Sequence, residues 1–337
     1  MLAEIWFFVL GIFLIMYVIL DGFDLGGATI LPFISDKELD KKIILNAIGR
    51  VWDGNEVWLV AFGAFLFGVF PPVYAKFFSG AYIPVMLLVF VLIFRAVSFE
   101  FRSKVESKIW KNIFDYLLAF SSLLIIVVLS AAGANVLKGL PIGLEGFRLS
   151  LIEALNPFAI FTALTITSLL ILHSLLYLAN KTEGEFLNKI ISWSKFFWIL
   201  TLILMVIWGI VSAVSGFGIY SNFIKYPILF IEPILTTVFL ILVLVYLNKE
   251  NFKLSFLFSS LTVGGSILFF GLSMFPNLLK SSLSENYNLT VYNSASGELT
   301  LTIALVVALI GIVLVSIYNI YVYKTFAGKI KEEDLHY

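Results

Sequence analysis

The chain contains no cysteine and no glutamine, and only two histidines, His173 and His336, among 337 residues. Without cysteine there is no disulfide, no thiolate metal site and no thiol nucleophile. Two imidazoles are too few for a chain that would hold several haems by itself, and no metal centre is expected here. Charge is also scarce. Charged residues make up 13% of the chain, and 22 Lys and Arg balance 22 Asp and Glu. Nothing in that balance points to nucleic acid or to an acidic soluble partner. What fills the chain instead is apolar: 61% hydrophobic residues and a mean hydropathy of +1.03. A water-soluble fold has nowhere to bury so much apolar surface, whereas repeated runs of about 20 apolar residues read as membrane-spanning helices. The expected class is an all-α polytopic membrane protein.

Apolar runs bounded by Pro, Gly, Asn and charge clusters predict about nine helices, over 5–31, 52–70, 79–101, 113–136, 157–180, 193–214, 226–247, 254–275 and 299–325. The first run lacks a basic leader segment and continues into Asp21, so it reads as a retained helix. Alternate connections collect the basic residues. One side holds Lys37, Lys41, Lys42, Arg50, Arg102, Lys104, Lys108, Lys111, Lys181, Lys189, Lys195, Lys249, Lys253, Lys324, Lys329 and Lys331. The other holds Lys76, Lys138, Arg148, Lys225 and Lys280. The positive-inside rule then places the N-terminus outside and the C-terminus in the cytoplasm.

Three stretches are out of keeping with their apolar surroundings: Asp21–Gly26, Trp52–Trp58 and Phe94–Arg102. Asp53 and Glu56 fall three residues apart and share a helical face. With the predicted orientation, Asp21, Asp24, Asp53, Glu56, Arg95 and Glu100 all come to similar depth near one side of the membrane. A bland reading has these charges cap helix ends and neutralise one another: carboxylates suit a helix N-terminus, Glu100 and Lys104 have i, i+4 spacing, and Arg102 could snorkel. A sharper reading takes excess carboxylates near the membrane interior as a proton path, with Asp53 and Glu100 as relays and Arg95 as an anchor for a carboxylate. His173 reads as a hydrogen-bonded core residue. Glu232, before Pro233, fits either a cap or a site near the outer end of its helix. Without reference to any family, a proton-coupled secondary transporter is the alternative, although that class favours broken helices meeting at the midplane.

The three stretches, read as Asp21-Gly-Phe-Asp-Leu-Gly26, Trp52-Asp-Gly-Asn-Glu-Val-Trp58 and Phe94-Arg-Ala-Val-Ser-Phe-Glu-Phe-Arg-Ser-Lys104, resemble subunit II of the cytochrome bd-type quinol oxidases. The resemblance continues through Asn156-Pro-Phe158, Gly271–Asn277, Asn288–Ser294 and Leu299-Thr-Leu301. It implies a single integral membrane domain of two four-helix bundles, about 5–136 and 157–275, plus a peripheral helix at 299–325. It also implies a complex in the prokaryotic cytoplasmic membrane that oxidises quinol, reduces dioxygen to water and builds a proton gradient without pumping. A subunit I partner would carry haems b and d. A structural quinone, small accessory subunits and bound lipid occur in such complexes. Within that frame Asp53, Glu56, Glu100 and Lys104 correspond to a cytoplasmic proton route; Glu100 stands where the family also uses Asp. Arg95 and Asp24 resemble residues that support haem insertion or stability in the partner, and Asp21, Trp52 and Arg102 group with them as structural supports. No catalytic residue is expected in this chain, which would be inactive alone.

Overall fold

A computed structural model describes residues 1–330; Lys331 and His336 lie outside the described residues. The elements, in chain order, are α1 (Leu2–Ile34), α2 (Glu38–Gly49), α3 (Trp52–Val69), α4 (Pro71–Gly80), α5 (Tyr82–Phe101), α6 (Lys108–Lys138), α7 (Leu151–Ala154), α8 (Pro157–Ala179), α9 (Gly184–Val214), α10 (Ser221–Lys225), α11 (Ile231–Asn248), α12 (Phe252–Met274) and α13 (Glu298–Thr325). Short strands β1 (Asn277–Leu279) and β2 (Leu289–Thr290) pair antiparallel between α12 and α13. Among the described residues, eight helices are long and apolar enough to cross a membrane, or nine if the bent pair α3–α4 forms one span. Helices dominate because hydrocarbon offers the backbone no partner, so each N–H and C=O must be bonded within its own segment.

The expected spans all reappear as helices, with three differences. The segment after α3 is not a loop: Pro71 and Pro72 occupy the first turn of α4, which folds back at 117° to α3. Proline has no N–H to continue the α3 ladder but suits a helix start, so the break and the new helix share one cause. Helices α6 and α9 begin earlier than expected, at Lys108 and Gly184, because charged residues extend a membrane helix into water without breaking its ladder. Helix α2, a third of whose residues are charged, was not among the nine. Ile44, Leu45 and Ile48 on it are buried, so its apolar face packs on the bundle.

Helix α1 is the central post: α3, α6, α8 and α12 all pack against it. Its crossing with α8 is close enough that a Cβ on Gly26 would stand 2.1 Å from the Leu170 carbonyl oxygen. The connections after α1, α5, α8 and α13 meet at one end. There Lys189 pairs with Asp36 at 2.5 Å, Lys41 with Asp115 at 2.9 Å, and Ile330 N donates to the Lys181 carbonyl at 2.9 Å. At the opposite end Leu140 and Lys280 bond through their backbones, Leu149 N donates to the Gly80 carbonyl, and Tyr292 donates to Glu4 at 2.9 Å.

Candidate functional site

The first shared feature of the three odd stretches is a buried ion pair. Arg95, on α5, grips Asp21, on α1, in a fork: Nη1 donates to Oδ2 at 3.1 Å and Nη2 to Oδ1 at 2.5 Å. Neither side chain reaches solvent. A planar guanidinium suits a carboxylate in this two-point contact, which survives burial better than a single bond would. The Arg95 guanidinium carbon lies 5.7 Å from the centre of the Trp52 ring, and Trp52 in turn stacks on Phe99 at 5.4 Å and 10°. The first residue of α3 and the last turn of α5 are thereby joined.

Asp24 lies one turn beyond Asp21 on α1, fully buried. Its Oδ2 accepts from Asn55 Nδ2 at 2.7 Å, while Oδ1 has no partner. Half-buried Glu56, one residue further along α3, lies within electrostatic reach of Arg95, Asp21 and Asp53. One guanidinium therefore faces three carboxyl groups, two more acids than it can balance. Asp53 is exposed at the mouth of this cluster. Glu100 and Lys104 are also exposed, and no ion pair joins them among the described residues. Asp53 and Glu100 each directly follow a ring of the Trp52–Phe99 stack, so both belong to the end of the molecule where the basic connections meet.

Arg102 does not snorkel. It is buried, with Nε donating to Asp115 Oδ1 at 2.5 Å and Nη2 to both Asp115 Oδ2 at 3.3 Å and Glu38 Oε1 at 3.0 Å. Lys41 Nζ completes the group by donating to Asp115 Oδ2 at 2.9 Å. Two cations meet two carboxylates, so this second cluster is balanced and clamps α2, α5 and α6 together. Asp115 escaped the sequence reading, although it is the lone acid between Ile113 and Leu118 in an apolar run. Tyr323, on α13, was missed too; its hydroxyl donates to Asn55 Oδ1 at 2.9 Å.

His173 is a core residue. Its Nδ1 meets Ser259 Oγ at 2.7 Å, its Nε2 meets the Ile19 carbonyl at 3.0 Å, and its ring stacks on Phe256 at 4.7 Å. Glu232 Oε1 accepts from Thr236 Oγ1 at 2.7 Å, and its Oε2 has no partner; the side chain borders a groove of about 550 Å³ between α1, α11 and α12.

The model of the cytochrome bd terminal oxidase subunit II family matches residues 2–326. The chain belongs to this family. It is 30% identical to the Escherichia coli (strain K12) cytochrome bd-I ubiquinol oxidase subunit 2, over 99% of this chain and 96% of that one. It is 28% identical to the Bacillus subtilis cytochrome bd ubiquinol oxidase subunit 2, over 99% and 98%. A solved structure of bd oxidase from Geobacillus thermodenitrificans shares the fold, with a TM-score of 0.80 over 97% of this chain and 99% of the other at 17% identity. The bd subunit II chain is thus a multi-pass membrane component of a terminal oxidase, acting with a partner subunit I, and the free-standing transporter is set aside. A cytochrome complex implies haem. In this subunit His173 does not fit a haem iron, since both ring nitrogens are already engaged within the chain.

Proposed function

We propose that this bd subunit II supports the haem-bearing subunit I and conducts protons toward it from the cytoplasmic side, in a complex that oxidises membrane quinol and reduces dioxygen to water without pumping. The haems b and d of subunit I supply the electron transfer and oxygen chemistry when bound there. This chain's own residues collect, hold and hand on protons. Asp53, exposed at the end where the basic connections meet, takes up a proton; Glu56, one turn further in, receives it beside the Arg95–Asp21 pair. Glu100 and Lys104 form the rim of the entrance. Arg95, Asp21, Trp52, Asp24 and Arg102 hold these helices in register and support the partner's haem pocket. The N-terminus lies outside and the C-terminus in the cytoplasm of a prokaryotic cell, with α1, α3, α5 and α6 as one bundle, α8, α9, α11 and α12 as the other, and α13 at the edge.

The observation that supports the proton reading most is the excess of acid: Asp21, Asp24 and Glu56 surround a single buried cation, Arg95. A purely structural cluster would balance, as Arg102, Lys41, Asp115 and Glu38 do. Asp53→Asn keeps the size of the side chain and removes its titrating proton. The two-subunit complex carrying it is expected to assemble with normal haem bands and to turn over quinol about 100-fold more slowly, the low end of what a positioned proton-transfer group contributes. Normal oxygen uptake by that complex would refute the path.

A further inference from the structure

Helix α13 presents two polar side chains one turn apart, Asn319 and Tyr323, to the opening turn of α3. Asn319 Oδ1 and the Tyr318 ring lie so near Gly54 that a Cβ there would stand 3.3 Å from the first and 2.9 Å from the second. The missing side chain at position 54 is what admits α13 to this depth. Next to it, the Asn55 amide is bonded at both ends. Its Oδ1 accepts from the Tyr323 hydroxyl at 2.9 Å, and its Nδ2 donates to Asp24 Oδ2 at 2.7 Å and to the Leu20 carbonyl at 3.2 Å. Turning the amide over would press its oxygen against a carboxylate oxygen and a carbonyl, so three acceptors and donors fix one orientation.

Hydrogen bonds in series polarise one another. Donation by Tyr323 into the Asn55 carbonyl strengthens the N–H bonds on the far side of the same amide. Tyr323 therefore acts on Asp24 without touching it. We propose that α13 is an orienting strap for the acidic cluster: Tyr323, through Asn55, is a positioning residue that holds Asp24 with one oxygen bonded and the other unpartnered. The inference rests on the reading of this cluster as a working part of the oxidase. The charged and titratable groups around Asp24 are Asp21 on its own helix, Glu56 on α3, Arg95 on α5, Tyr177 on α8 and Tyr323 itself.

The test is a double-mutant cycle of Tyr323→Phe and Asp24→Asn in the purified two-subunit complex, read as quinol-dependent oxygen uptake per haem across a pH series. Tyr323→Phe should lower turnover about 5-fold, the scale of one lost buried hydrogen bond, and displace the pH profile. In the Asp24→Asn background it should add nothing, because its route to the cluster is gone. A strap that only packs would give multiplying losses and an unmoved profile; either of these, or native turnover in Tyr323→Phe, overturns the proposal. Should Asp24→Asn fail to assemble, Asn55→Ser breaks the same relay and must likewise abolish the effect of Tyr323→Phe. Should haem be lost on purification, haem retained per complex is scored by the same criterion. Asp53→Asn, measured in parallel, reports on the proton path alone. A native-like Asp53→Asn beside a coupled Tyr323–Asp24 cycle removes the path and leaves the strap, and the reverse result removes the strap and leaves the path.

Discussion

Arg95 and Asp21 illustrate how much one buried pair decides. Both ions are stripped of water, and their mutual fork is the compensation. Removing one member leaves the other as an uncompensated charge inside an apolar bundle, which costs about 3–5 kcal/mol. Arg95→Met alone is therefore expected to abolish recovery of a monodisperse complex from detergent extracts. Arg95→Met combined with Asp21→Leu, which removes both charges, should restore most of it. A single variant as well behaved as the native chain would show that the pair is dispensable. The same arithmetic applies to Asp115, which answers two cations at once: among the described residues, Asp115→Asn leaves Arg102 with Glu38 as its one carboxylate and Lys41 with none. Heat should then separate α6 from α2 and α5 first, a loss visible as faster amide exchange in α2 than in α8. Equal protection in α2 before and after the substitution would show that the clamp bears no load.

At the scale of whole helices, the α1–α8 crossing depends on what Gly26 lacks. A methyl there would meet the Leu170 carbonyl oxygen at 2.1 Å, and backbone cannot swing aside as a side chain would. Gly26→Ala must push two central helices apart, with an overpacking cost of about 1–3 kcal/mol or more, read as a lower unfolding temperature of the purified complex. Gly11→Ala, where a Cβ meets nothing within 4 Å, is the matched control and should be neutral. The helices themselves were legible because hydrocarbon enforces long apolar runs, and a run of 20 such residues admits few other structures. The ends were less so. Lys108 and Gly184 open their helices in polar sequence, where periodicity falls silent, and α2 carries too many charges to register as a span. The acidic site was half legible. Asp21, Asp24, Glu56 and Arg95 announce themselves as charges in apolar sequence, and the structure brings them together. Asp115 and Tyr323 are single polar residues whose meaning comes from partners more than ten and more than 250 residues away, Arg102 and Asn55. No local pattern encodes such pairings, and only the packing of α13 on α3 and of α6 on α5 reveals them.

The molecule as a whole is tied at its two ends by different means, and one of the ties titrates. At the end that gathers the basic connections, the chain after α13 returns to the α8–α9 turn. Lys181 Nζ donates to the Phe326 carbonyl at 2.6 Å, and Lys329 Nζ reaches the carbonyls of Ala179 and Thr182. Burial, with the nearby positive charge of Arg50 adding to it, draws the Lys181 ammonium below the ordinary lysine value of 10.5. Burial acts the same way on Lys280 at the opposite end. In the unfolded chain both groups keep their proton up to about that ordinary value. Between the lowered folded-state pKa and 10.5 the unfolded state thus binds more protons than the folded one, so stability rises with pH across that window. Below the folded-state pKa the full cost of a buried ammonium persists. Thermal unfolding of the purified complex from about pH 8 to about pH 10 should therefore show a midpoint that climbs more steeply in the native chain than in Lys181→Met, which has no proton to lose. Lys181→Met also gives up the bond to Phe326, so the informative quantity is the difference in slope between the two profiles, whatever their offset. Parallel profiles would mean that Lys181 carries its charge in the fold as freely as in water, and that the return of the chain after α13 leaves its ammonium solvated.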